Sequence, residues 1–229
     1  MFMAAPIFAA RTVPVRFRII LALLITALVQ PNLPYLETID PLSAQGILII
    51  LQQLSIGIVM ALVLQIVFGA LVMAGQAMAT TMGLGFASSV DPQNGVQVAM
   101  VGQLYLVLGT LYFLAVDGHL LMIDILVGSF VSIPIGVPFD FVGITGQVAL
   151  FSAELFATAV LLSLPVVVGV LLVNLAFGVV TRAAPQLNIF AVGFPATMLA
   201  GFILMLFSIP VVFPALESFF VLSFDFMRT

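Results

Sequence analysis

Asp117, His119, Asp124 and Glu154 are the side chains of this sequence whose types could do acid–base or ion chemistry. Ionisable groups within apolar segments are costly to hold there and are functional candidates by default. Asp117 and Asp124 are seven residues apart and would share a face of one helix, but Gly118 interrupts that continuity. An ion-coupled secondary transporter could use such a set. The simpler reading of Asp117, just ahead of Gly118, is a helix cap at a break, and that of His119 is a packing or interface residue. Glu154 either snorkels to an interface or faces protein, and Asn174 is expected to hydrogen-bond a neighbouring helix. One histidine and no cysteine exclude polyhistidine and thiolate metal sites, and no cofactor is expected. No serine lies in a nucleophile-elbow pattern, and no inverted repeat with paired broken helices supports a transporter.

A second stretch is chemically quieter. Residues 80–97 read Thr-Thr-Met-Gly-Leu-Gly-Phe-Ala-Ser-Ser-Val-Asp-Pro-Gln-Asn-Gly-Val-Gln, a glycine-rich and nearly uncharged interruption between apolar segments. Gly83 and Gly85 around Leu84 resemble a fragment of a phosphate-binding fingerprint, but neither a βα unit nor a basic partner accompanies them. The bland reading is a loop joining two helices. Irregular backbone at membrane depth must otherwise lie against protein or line a wet cavity. On that reading the glycines let the backbone rearrange, Leu84 and Phe86 seal, and Asp91-Pro92 sets a turn. Small-xxx-small pairs, among them Gly57/Ala61, Ala70/Ala74 and Gly75/Ala79, let helices approach closely, within the chain or between subunits.

The elements that must position these residues follow from composition. Of 229 residues, 64% are hydrophobic and only 6% charged, against roughly 25% in a soluble domain. Long, continuously apolar stretches give an all-α membrane protein and argue against a β-barrel, whose strands alternate. With five basic residues and a pI near 4.5, no nucleic-acid surface is expected. Met1–Ala10 is too short an apolar run for a signal peptide, and Arg11 follows it.

In chain order, an arginine-rich flank (Arg11, Arg16, Arg18) precedes a short apolar segment, 19–33, ended by Pro31 and Pro34. Asp40 is the expected cap for the next segment, 46–75, roughly 45 Å long at 1.5 Å per residue. The third, 98–115, breaks at Asp117-Gly118 and continues over 120–131 to the turn at Ile133-Pro-Ile-Gly136. A fourth, 146–180, is interrupted at Pro165. A fifth, 187–212, forms an antiparallel hairpin with it, and 214–229 is a short tail. Placing Arg11–Arg18 inside puts residues 80–97 and Arg182 inside as well, in agreement with the positive-inside bias.

Several motifs together resemble the FliR family of flagellar type III secretion export-gate membrane proteins (FliR/SpaR-like). They are Met82-Gly-Leu-Gly-Phe-Ala87, Val90-Asp-Pro92, Phe113-Leu-Ala-Val-Asp-Gly-His-Leu120, Ile133-Pro-Ile-Gly136, Asn174-Leu-Ala-Phe-Gly178, Arg182-Ala-Ala-Pro-Gln-Leu-Asn-Ile-Phe190 and Val192-Gly-Phe-Pro195. The likeness covers nearly the whole chain in order. Family members usually carry a further apolar segment ahead of Ala5-Pro6, of which little stands here. The resemblance implies kinked helical hairpins, with a FliP-like part at 1–145 fused to a FliQ-like hairpin and tail at 146–229. It implies a non-enzymatic subunit at the flagellar basal body in the bacterial inner membrane, partly projecting to the periplasmic side. That subunit closes an assembly of FliP-like and FliQ-like copies, with an FlhB-like protein docked against it, and unfolded export substrates pass through. Met82, Gly83, Leu84, Gly85, Phe86, Asp91 and Pro92 then belong to a pore plug, and Asp117, His119, Glu154, Asn174 and Arg182 to inter-helix or subunit contacts.

Overall fold

A backbone surrounded by apolar residues must satisfy its N–H and C=O groups internally, which leaves this chain little choice but long helices. The computed structural model describes residues 1, 5, 6, 8, 13–32, 40–84, 100–137, 140–183 and 189–228. Among them it has six α-helices and no strand: α1 (Val15–Val29), α2 (Ala44–Thr81), α3 (Met100–Ala115), α4 (Gly118–Ser132), α5 (Phe141–Ala183) and α6 (Ile189–Arg228). Ala44–Thr81, Val142–Ala183 and Val192–Arg228 are each long and apolar enough to cross a membrane. The pair α3 and α4, bent by 68°, makes a fourth span if taken as one. The expectation of an all-α membrane protein is borne out.

Three segment boundaries differ from those expected. α2 runs on to Thr81, at the edge of the glycine-rich stretch. Pro165 does not divide α5, and Pro195, Pro210 and Pro214 all lie inside α6, so residues 214–228 continue a 40-residue helix instead of forming a separate tail. Proline is tolerated within apolar helices where neighbouring groups take up the freed backbone positions. Two caps also differ. The carboxylate of Asp40 accepts from the Leu42 N–H (3.0 Å) in a turn, and Ser43 caps α2 by accepting from the Gly46 N–H at 3.0 Å. Asp140 caps α5, its Oδ1 accepting from the Gly143 N–H at 3.0 Å.

Contacts divide the chain into two compact units built from interleaved stretches. One comprises Met1–Val67, Tyr112–Ala153 and Val221–Thr229; the other comprises Phe68–Leu111 and Glu154–Phe220. In the first, Phe113 packs on Phe224 (ring centroids 6.1 Å apart) and Phe151 stacks on Phe226 at 4.8 Å. The turn expected at Ile133–Gly136 is present. Val137 N–H donates to the Pro134 carbonyl at 3.2 Å, with Gly136 at φ 92° in the position that demands left-handed backbone. Gln52, buried in α2, donates through Nε2 to the Val137 carbonyl at 2.8 Å and holds this turn.

The second unit is organised on close helix approach. A β-carbon on Gly75 of α2 would stand 2.5 Å from the Cα of Gly102 of α3, so the two backbones meet where neither has a side chain. Four residues away on α2, Leu71 fills the space beside Gly109 of α3. The pairings run in opposite chain order, as antiparallel helices require. Phe68 meets Phe220 of α6 edge to face at 5.7 Å, and Leu204 of α6 packs over Gly169 of α5. The buried Tyr105 shares a side-chain hydrogen bond with Ser208 of α6, whose hydroxyl donates in turn to the Met205 carbonyl at 2.8 Å. These buried hydroxyls are therefore satisfied.

Glycines of opposite role give a test of opposite signs. In a helix interior, Gly to Ala gains about 0.5–1 kcal/mol of propensity, while crowding a packed site costs about 1–3 kcal/mol. Nothing lies within 4 Å of a β-carbon on Gly146, so Gly146→Ala should raise the melting midpoint in detergent. Gly75→Ala should lower it, because its neighbour is backbone and cannot swing aside; equal midpoints would contradict the crossing.

Candidate functional site

The end of α2 is where regular structure gives way to the glycine-rich stretch, and its last turn is built in detail. Gly83 has φ 82°, in the left-handed region open to glycine. Its N–H donates to the Thr80 carbonyl at 3.1 Å, and the Leu84 N–H reaches back to the Ala79 carbonyl at 2.9 Å. This pair of bonds is a Schellman motif, with Gly83 at C′ and Leu84 at C″. Gly83 therefore terminates α2, a role that sequence reasoning reduced to general flexibility.

Met82, immediately before it, is wholly buried. Its Cγ, Sδ and Cε lie 2.5–2.7 Å from where a β-carbon on Gly201 of α6 would stand. Phe194, two helical turns back on α6, lies over Gly83: a β-carbon there would come within 2.9 Å of the ring. Gly193, Thr197, Gly201 and Met205 of α6 are all buried, a four-residue spacing that puts three small residues and then Met205 along one face of the helix. Sequence reasoning missed Gly201 and Ser208. The spacing of Gly193, Thr197 and Gly201 was the available signal for the first. Beside this end of α2 an open, mostly apolar groove of about 880 Å³ runs between α2 and α5, rimmed by Gln76, Thr80, Thr81 and Ser163.

Met82, Gly83 and Leu84 thus belong to the last turn of α2, whereas Gly85, Phe86, Asp91 and Pro92 lie outside the described residues. Asp117 stands at the N-cap position of α4, but its side chain makes no capping bond. This corrects the reading of Asp117 as a side-chain cap. It adopts φ 55°, and its carbonyl accepts from the Leu120 and Leu121 N–H groups at 2.9 and 3.1 Å. Aspartate is among the few residues that enter the left-handed region as single sites. Gly118 follows because the buried Phe113 ring occupies the space of its missing β-carbon, and the chain turns there by 68°. His119 is half-buried in the first turn of α4, its Nδ1 enclosed without a hydrogen-bond partner. Asp124 is exposed on α4, and Glu154, Asn174 and Arg182 are exposed on α5. Among the described residues no three acidic or histidine side chains gather into an ion-holding group, so Asp117, His119 and Asp124 are not brought together as one site.

A family model described as bacterial export proteins, family 1, matches residues 1–222. The chain belongs to this family. It is 37% identical over 223 residues to the flagellar biosynthetic protein FliR of Pectobacterium carotovorum subsp. carotovorum, covering 97% of this chain and 85% of that protein. It is 35% identical over 227 residues to FliR of Escherichia coli (strain K12), covering 97% and 85%. FliR of Bacillus subtilis (strain 168) is 29% identical over 231 residues, covering 99% and 88%. The likeness to the FliR family carried by Met82–Ala87, Phe113–Leu120 and Arg182–Phe190 is borne out, and with it membership of a bacterial export family in the membrane.

The Schellman assignment carries its own test. An alanine at position 83 must hold left-handed backbone at a cost of about 1–2 kcal/mol, and asparagine tolerates that geometry better. Gly83→Ala should therefore lower the melting midpoint of the detergent-solubilised chain, with Gly83→Asn falling between it and the parent. An alanine variant as stable as the parent would contradict the assignment.

Proposed function

We propose that this chain is a non-enzymatic subunit of the flagellar type III protein export gate in the bacterial inner membrane. It completes a helical assembly of FliP-like and FliQ-like subunits, with an FlhB-like protein docked against it, and the loop 80–97 contributes the plug of the export pore. Residues 1–145 form the FliP-like part and 146–229 the FliQ-like hairpin and tail. Asp117, His119, Glu154, Asn174 and Arg182 serve helix and subunit contacts. Unfolded export substrates pass through the pore, driven by energy supplied elsewhere in the machine.

The observation that carries this reading is the length of apolar surface left uncovered. α5 has 43 residues and α6 has 40, contours of about 64 and 60 Å at 1.5 Å per residue. The hydrocarbon core of a bilayer is about 30 Å thick. A straight helix of that length would need a tilt of about 60° to stay within it, beyond the 0–40° that spanning helices adopt. Yet large apolar side chains stay exposed along the whole of α5, from Val142 and Leu150 through Leu164 and Leu172 to Val180. Lipid covers about half of such a contour, and packed protein is the natural cover for the rest. Family membership supports what that protein is, since the relatives are named for flagellar biosynthesis. The sequence of residues 80–97, glycine-rich and nearly uncharged between apolar segments, supports the plug, since irregular backbone at membrane depth needs the cover that a pore enclosed by partner subunits would give.

Mild detergent extraction should recover the chain in a stable complex with FliP-like and FliQ-like proteins. Deleting Gly83–Ser89 should leave that complex intact and raise its ion leakage severalfold in planar bilayers. Unchanged conductance would contradict the plug, and recovery as a lone monomer that transports ions in liposomes would overturn the gate.

A further inference from the structure

The end of α4, the start of α5 and the end of α6 gather in the first unit around a cavity of about 80 Å³, set against the middle of α2. Its walls are largely apolar: Val59, Met60 and Val63 of α2, Ile144 of α5 and Phe226 of α6. Arg228, in the last turn of α6, and Gln147 of α5 carry N–H donors into the lining, beside the hydroxyls of Ser129 and Ser132 on α4. We propose that this cavity is a binding site for one anionic phospholipid, with its phosphate on Arg228 and Gln147 and the start of an acyl chain among the apolar walls. A lipid held there ties the C-terminal end of α6 to the bilayer surface.

Charge selects the occupant. Arg228 forms no ion pair and Gln147 no side-chain hydrogen bond among the described residues. The serines need no further partner for their hydroxyl protons: Ser129 donates to the Leu126 carbonyl at 2.7 Å and Ser132 to the Gly128 carbonyl at 3.4 Å, both within α4. No acidic side chain is among the described residues that line the cavity. Asp124, Asp140 and Asp225 all stand outside it, and Asp140 is engaged as the cap of α5. The lining therefore holds a cation with nothing to neutralise it, and a guanidinium presents its donors in a planar fork that phosphate oxygens match. A zwitterionic headgroup would bring an amine that meets no carboxylate here, which favours a headgroup of net negative charge. The apolar walls beside the cation favour an amphiphile over a free anion, since hydrocarbon gains by covering them. A simpler account of Arg228, a cation complementing the C-terminal end of a helix dipole, applies equally to Arg182 in the last turn of α5. It leaves the cavity unexplained. With Arg182 inside, Arg228 follows one apolar helix later on the outer side, where the positive-inside bias asks for no cation.

Native mass spectrometry of the whole chain in mild detergent, incubated with equal amounts of phosphatidylglycerol and phosphatidylcholine, reads the site. The parent should retain one phosphatidylglycerol in severalfold preference to phosphatidylcholine. R228Q should reduce that preference severalfold, whereas R182Q, which removes another exposed helix-end arginine, should leave it unchanged. S132L crowds the cavity without altering charge; at a melting midpoint matching the parent's, it should also weaken retention of phosphatidylglycerol. Equal retention of the two lipids by the parent, or an R228Q chain no weaker than R182Q, would overturn the site. Loss of the preference in excess inorganic phosphate, but not in chloride of equal ionic strength, would mark a free-anion site and overturn the lipid. Unchanged retention by folded S132L would overturn the seat of the acyl chain.

Discussion

The mismatch between helix length and bilayer thickness is the constraint on which the rest of this protein depends. Contours of about 57 to 64 Å in α2, α5 and α6 cannot be matched to a core of about 30 Å. An apolar helix outside lipid is stable only against other apolar surface, because its exposed side chains otherwise face water. Of the three long spans, α2 is the one covered by its own chain: its most apolar window is 56% buried, against 28% in α5 and in α6. α2 is thus the most enclosed of the three, while α5 and α6 keep apolar side chains exposed.

Glycine decides how closely α2 can be enclosed. Gly75 against Gly102 brings two backbones together, while Gly201 admits Met82 and Gly109 admits Leu71. Small residues at helix crossings are what lets apolar helices associate without a hydrophobic driving force between them in lipid. Gly83 and Gly136 do a different job, ending a helix and making a turn through left-handed backbone. The bend at Asp117-Gly118 combines the two, a left-handed aspartate followed by a glycine that accommodates a buried phenylalanine ring.

Helix content was legible in the sequence because an unbroken apolar run admits no other structure in a membrane. The bend after Val116 and the turn at Pro134–Val137 were legible too, since Asp-Gly and Pro-x-Gly constrain the backbone locally. Helix ends were not, where tertiary packing overrides local preference. Residues 214–229 read as a separate tail, yet α6 continues because its buried face runs on through Leu216, Phe219 and Phe220. Asp40 and Asp117 were read as caps by type alone; in the structure Ser43 caps α2, and Asp117 serves through its backbone. The packing at the end of α2 was half legible. Met82 and Gly83 stand out in a motif, but nothing local marks Gly201, more than a hundred residues away, as the seat of Met82. Only the spacing of Gly193, Thr197 and Gly201 hints at a close approach, and it does not name the partner helix.

The most direct measurement is site-directed cross-linking with a stalled export substrate, made clean by a sequence that has no cysteine. A Ser88→Cys chain in the assembled apparatus should cross-link to a substrate arrested during export, and a Leu175→Cys chain, altered on the exposed side of α5, should not. Cross-linking at Leu175→Cys but not at Ser88→Cys would contradict the proposal that residues 80–97 stand in the export path.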